Sequence, residues 1–351
     1  MEYRNLGTTG LKVSCLFFGG AHIGEIIDAR KTTELVHAAW DHGINTFYTA
    51  NKYNNGRAEE ILGPAVKPRR DDCVLIMKTG YRVGTADFPV SDAERRATHG
   101  EYGALDHSAM WNKGVPPTSR GLTRKYILRE IEASLRRLET EYIDVYEAHY
   151  WDPQTPIEET LDAFDTLVRQ GKVRYIGCSQ TAAWQLVRAL WVSETKGFAR
   201  YQTMQTRVNM IERANKVEQL EACAAMGVSV LAFQSLAGGV LSGDRTRETP
   251  ISPSLGARRR YTEMYTSDRN FDLVDRLRVV ASSSGRSVGE LAQAWCLAQT
   301  AVTALQIGPN EPEEFEPQVR AATRLLTADE AAAIDDILVD FPMPSWPPAR
   351  W

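Results

Sequence analysis

Three side chains carry groups suited to proton transfer and stand where short apolar runs end: the phenol of Tyr53, the amine of Lys78 and the imidazole of His149. A phenol with an ordinary pKa of about 10 is a poor acid at neutral pH, and a neighbouring ammonium stabilises its phenolate and lowers that value. An imidazole beside the pair can orient a carbonyl oxygen by donating a hydrogen bond, so that all three groups meet one developing oxyanion. Taken singly, each has a plainer reading: a turn aromatic, a strand-end surface lysine and a satisfied core histidine. Only the elements that carry them can bring them together.

Short β-branched or aromatic runs, each followed by a helical pattern, occupy 15–20, 44–50, 73–80, 143–151, 173–180, 201–209, 228–236 and 302–308. This is the pattern of parallel βα units, and eight of them covered on both faces close most simply into a (β/α)8 TIM barrel. Apolar residues at three- and four-residue spacing predict helices over Thr32–Trp40, Arg57–Val66, Arg124–Leu138 and Pro156–Gln170. Gly43, Gly171 and Gly227 stand where a helix gives way to the next strand. Ahead of the first strand, YRNLGTTGLKVS reads as a β-hairpin capping the N-terminal end of the barrel. Two connections are long, 81–122 after the third strand and 237–270 after the seventh. Both leave strand C-termini, the face where barrels hold their chemistry, and Tyr53, Lys78 and His149 converge there from the second, third and fourth strands. No GxGxxG follows the first strand, which argues against an open doubly wound sheet. Residues 1–351 read as one domain, ending in a Pro- and Trp-rich DFPMPSWPPARW that cannot be helical and reads as a packed tail or a pocket wall.

A composition of 43% hydrophobic and 25% charged residues suits a globular protein with a large core. The net charge of -4 offers no basic field for phosphate backbones, so nucleic acid is not an expected partner; Arg258, Arg259 and Arg260 read as a solvated loop. Cys15, Cys73, Cys178, Cys223 and Cys296 are scattered without metal-ligand spacing, so no metal is expected and they read as reduced thiols of a cytoplasmic protein. No run approaches the roughly 20 apolar residues of a membrane span, so no membrane partner is expected either. The expected partner is a small-molecule substrate; the oligomeric state has no sequence signal.

The segments RNLGTTGLKVS, GINTFYTANKYNNGRAEEILG, the MKTG strand, RKYILREIEASLRRLETEYIDVYEAHYWD, RQGKVRYIGCS and SLAGGVLSG follow one another in an order that resembles the aldo-keto reductases, particularly the branch of bacterial reductases and potassium-channel β-subunits. The resemblance implies NADP(H)-dependent reduction of aldehydes and ketones through a tyrosine, a lysine, a histidine and an aspartate. Residue by residue it assigns the first three roles to Tyr53, Lys78 and His149. The aspartate position is Tyr48, FYTA standing where FDTA is usual. Cofactor contacts are implied at Gly19, Gly20, Ser179, Gln180, Gln205, Leu236, Gly238, Gly308, Asn310 and Gln318. Gln180 replaces an asparagine, however, and Val208 stands where a tyrosine would stack on nicotinamide. The basic residue that would meet a 2′-phosphate near Asn310 is missing. Nicotinamide binding is therefore expected to be weak and unselective for NADPH unless Arg207 or Arg320 replaces that charge.

His22, Tyr81, Trp111 and Trp151 are the expected substrate walls, while Glu25, Asp28 and Glu101 show no paired-carboxylate spacing. With Tyr48 in place of aspartate, Glu147 or Asp41 is the candidate carboxylate beside Lys78. Three readings follow. The first is a reductase or dehydrogenase acting on a small metabolite such as a sugar or secondary-metabolite ketone. The second is a non-redox acid–base enzyme, a dehydratase, isomerase, cyclase or lyase, in which Lys78 serves as base. The third is a noncatalytic binding subunit.

Overall fold

In the computed structural model of the chain, the described residues are 1–84, 117–248 and 265–342. Trp111 and Glu101, the Arg258–Arg260 run and the tail beyond Pro342 lie outside them. Strands β1 (Tyr3–Asn5) and β2 (Lys12–Ser14) form the expected antiparallel hairpin. Strands β3 (Leu16–Gly19), β4 (Thr46–Ala50), β5 (Val74–Thr79), β6 (Ile143–Ala148), β7 (Val173–Ser179), β8 (Tyr201–Arg207), β9 (Ser229–Phe233) and β10 (Val302–Ile307) close into one parallel barrel, with β10 beside β3.

Because side chains alternate between the faces of a strand, each barrel strand feeds two cores. Phe17, Tyr48, Val74, Ile76, Val145, Leu231 and Ala304 point to the interior and share a buried cluster with Leu6 and Val13 of the hairpin. The hairpin is thus a plug. Its turn is tied to the N-terminal ends of β8 and β9, where Gly7 N donates to Ser229 Oγ at 2.7 Å and Thr8 N to Gln202 Oε1 at 3.0 Å.

The outer faces pack against helices. Those between strands include α1 (Ala29–Asp41), α2 (Arg57–Val66), α3 (Arg124–Leu138), α4 (Ile157–Arg169), α5 (Ala183–Lys196) and the short α6 (Glu221–Ala225); α7 (Asp268–Ser283) and α8 (Val288–Leu297) precede β10, and α9 (Phe315–Thr323) and α10 (Ala328–Asp340) follow it. Their starts are set by side chains that accept orphan backbone N–H groups: Asp28 for α1, Thr123 for α3, Ser287 for α8 and Thr327 for α10. The spacing-based boundaries of α2 and α3 agree with the structure. Asp340, the first residue of the tail read as non-helical, instead closes α10, whose hydrogen-bond ladder runs up to the proline that stops it two residues on. All five cysteines are buried thiols. Among the described residues no cluster of His, Cys, Asp and Glu could hold a metal, and no helix is long and apolar enough to cross a membrane.

Candidate active site

Tyr53 opens a short 3-10 turn after β4 in which two consecutive asparagines, Asn54 and Asn55, take left-handed backbone conformations with φ 49 and 58. That conformation favours asparagine among residues with a Cβ. Asn54 Nδ2 donates to the carbonyls of Ala21 and Ile23, pinning the turn to the loop after β3. Lys78 lies on β5, its carbonyl accepting from Asn51 N at 3.1 Å. His149 stands one residue past β6, its backbone N bonded to Thr79 O at 2.9 Å.

The three side chains meet at the C-terminal mouth. The rings of Tyr53 and His149 make an edge contact at 5.8 Å, and those of Tyr81 and His149 another at 4.9 Å. Lys78 Nζ lies 5.3 Å from the Tyr53 ring centre and 4.7 Å from that of Tyr48, and donates to Gln205 Oε1 at 2.5 Å. Tyr48 fills the barrel interior against Phe17 and sets its hydroxyl 3.3 Å from that of Tyr53. It also explains Gly19, where a Cβ would stand 2.0 Å from the Tyr48 carbonyl oxygen.

Electrostatics at the mouth follow from burial. Burial raises the Tyr53 phenol above its ordinary range and outweighs the opposing pull of Lys78, so the lowered phenol expected from an adjacent ammonium does not hold. Tyr48 is raised for the same reason. His149 is held well below the usual imidazole value by burial, then by the charges of Lys78 and Lys52, and it stays neutral with Nδ1 unpartnered. Burial pushes the Glu147 carboxyl up to about 7 against the attraction of Lys78 and a bond from Thr203.

One of these groups was beyond the reach of motif matching, and another was one of the two candidate carboxylates named from the sequence. Lys52, half-buried with its Nζ 4.0 Å over the Tyr81 ring, is brought down to about 7 by burial and then by Lys78. Its position next to Tyr53 was the available signal. Glu147 is fully buried inside the barrel, whereas Asp41, the alternative carboxylate, is exposed at the end of α1 and so at the opposite end of the barrel.

The residues implied for a nucleotide form an adjoining rim. Ser179 is buried at the end of β7, and Gln180 follows with its side chain exposed and φ 48. Leu236 leads into the turn Ala237–Ser242, which contains Gly238, and Gly308 is exposed with open space where a side chain would be. Gly20 lies against the Tyr48 hydroxyl. His22 bonds Asn310 Oδ1 at 3.0 Å and so sits on this rim, while Trp151 packs against Trp184 at 5.9 Å.

A nicotinamide dinucleotide fits this rim in part. Gln205 keeps its amide N–H groups while its oxygen holds Lys78, and Gly308 has open space for a close ligand, whereas the space at Gly19 and Gly20 is taken by Tyr48. At the position of Asn310 the fit fails for an extra phosphate: its backbone N–H donates to the Glu314 carboxylate at 2.9 Å, and Gln318 is bonded to Glu314 O and Gln293. The two cations that could substitute are already paired, Arg207 with Glu212 and Arg320 with Glu290 and Glu316. Val208 is buried, its backbone bonded to Phe233 and Cys296, and offers no ring for stacking.

A family model described as the aldo/keto reductase family matches residues 15–339. The chain belongs to the aldo/keto reductase family. Among its relatives, the aldo-keto reductase dtxS3 of Metarhizium robertsii is 33% identical, over 97% of this chain and 91% of that protein. Versiconal hemiacetal acetate reductase of Aspergillus parasiticus is 31% identical over 96% of each. A probable voltage-gated potassium channel subunit beta of Arabidopsis thaliana is 30% identical, over 92% of this chain and 91% of its own length. An aldo/keto reductase-family oxidoreductase is therefore the coarse description.

Proposed function

We propose that this aldo/keto reductase-family chain interconverts a carbonyl and an alcohol in a small metabolite with a nicotinamide nucleotide, binding NADH and NADPH with little preference. The supporting observation is the edge contact of Tyr53 with His149 over the Lys78 ammonium, three groups from three strand ends around one point of the mouth. The nucleotide would supply the hydride that reaches the carbonyl carbon. Tyr53, kept as a phenol by burial, delivers its proton to the carbonyl oxygen, and Lys78 offsets the phenolate left behind. His149, kept neutral, donates one N–H to the same oxygen and orients it. Tyr81 and Tyr150, packed at 4.7 Å, form the apolar flank beside His149.

A second reading, non-redox acid–base chemistry at the same groups, is favoured by one observation: the nicotinamide-stacking position is a buried valine. Titrating NADPH and NADH while following tryptophan fluorescence, and then assaying consumption of the reduced nucleotide with 4-nitrobenzaldehyde, separates the two. The reductase reading expects both nucleotides to bind within roughly tenfold of each other. Failure of either to bind would leave the acid–base reading.

A further inference from the structure

The barrel has lost the carboxylate that β4 would aim at its lysine, since position 48 is a tyrosine whose hydroxyl bonds another phenol. Lys78 is only 4% exposed and donates to the Gln205 amide oxygen, an uncharged group. A buried ammonium bonded to a neutral group, with Lys52 adding a like charge nearby, is costly, so a compensating charge is expected within reach. On the neighbouring strand, Glu147 is the direct register partner of Lys78, and the even alternation that sends Val145 to the barrel interior sends Glu147 there as well.

Glu147 has no exposed surface. Its Oε1 accepts from Thr203 Oγ1 at 2.6 Å, while Oε2 is buried without a partner. The site has been cleared for this carboxylate: a Cβ at Gly177 would stand 1.9 Å from Thr203 Oγ1 and 3.1 Å from Glu147 Oε1. We propose that Glu147 is the counter-charge of Lys78, so that the lysine beneath Tyr53 is balanced from β6 rather than from β4. Glu147 is a positioning residue: it bonds Thr203, stands in register with Lys78 and acts through it. The inference deepens the proposed carbonyl chemistry and rests on it for its catalytic meaning, but the Glu147–Lys78 coupling can be read without turnover.

Among the described residues, the titratable groups within electrostatic reach of Glu147 are Lys78 of β5, Tyr48 of β4 and Cys178 of β7. Infrared spectroscopy of the whole protein follows the C=O band of a buried protonated carboxyl across pH. Glu147→Gln identifies its band against those of Glu59, which burial pushes up to about 7, and Asp144, which burial also raises. If Lys78 is the counter-charge, Lys78→Met must raise the midpoint of the Glu147 band by roughly one pH unit or more. Should Lys78→Met fail to fold, Lys78→Gln, which removes the charge but keeps a side chain able to bond Gln205, tests the same coupling and must also raise that midpoint. An unchanged midpoint in the folded variant overturns the proposal. In turnover with NADPH and 4-nitrobenzaldehyde, Glu147→Gln should lose roughly tenfold or more in kcat with little change in KM, and adding Tyr48→Asp should restore it. A wild type without reductase activity counts against the reductase reading alone, since the infrared outcome stands independently.

Discussion

Two buried charge sites in this barrel are built in opposite ways. Arg286, between α7 and α8, meets Glu330 in the first turn of α10 at 2.8 Å and spends its other donors on the carbonyls of Arg324 and Leu325 at 2.8 and 2.7 Å. Glu330 also closes a capping box with Thr327. Lys78 and Glu147 are just as deeply buried, yet Lys78 is bonded to a neutral amide and Glu147 keeps one oxygen with no partner. The first arrangement holds helices together with every polar group satisfied. The second leaves charge poised inside the mouth, which costs stability and is the usual condition of a site that must exchange protons.

The largest expected effect falls on the satisfied pair. Glu330→Gln strands the Arg286 guanidinium and should cost about 3–5 kcal/mol in denaturant unfolding. Burial raises Glu330, but its bonds from Arg286, Thr327 and Ser284 win and bring it to about 2, below the unfolded value of 4.5. The unfolded chain therefore binds more protons between those values, so this contribution is present above pH 4.5 and is lost as pH falls toward 2.

At the mouth the sign reverses. Folded Glu147 holds its proton up to about pH 7 and the unfolded side chain only to 4.5, so the folded state binds more protons in that window and stability falls as pH rises through it. Glu147→Gln should therefore stabilise the protein above pH 7 by on the order of 1–3 kcal/mol and leave it unchanged below 4.5. Equal destabilisation at both pH values would place Glu147 in the same class as Glu330. The exposed pair Lys67–Glu139, at 2.9 Å, sets the lower reference: Lys67→Ala should change stability by less than about 1 kcal/mol.

The contrast between these sites also explains what the sequence could disclose. The barrel strands were legible because each is an apolar run ending near a mouth residue, and α2 and α3 because their apolar spacing has a clear start and stop. Tyr53, Lys78 and His149 were legible as strand-end residues of types suited to proton transfer. The direction of the Tyr53 shift was not, because it depends on how burial compares with the pull of one ammonium, and burial is a property of the closed barrel. Lys52 shows no spacing that marks it, and its place over Tyr81 depends on the turn set by Asn54 and Asn55. Glu147 was visible as a carboxylate in a strand, but only the register with β5 sets it beside Lys78.

In the proposed reaction Tyr53 delivers the proton in carbonyl reduction. Its most direct test is the turnover of Tyr53→Phe with NADPH and 4-nitrobenzaldehyde, alongside a thermal melt of the same sample. The expected result is a kcat lower by roughly 10²–10⁴-fold with an unchanged melt. Full activity in the folded variant would contradict it and move the chemistry to another group of the mouth.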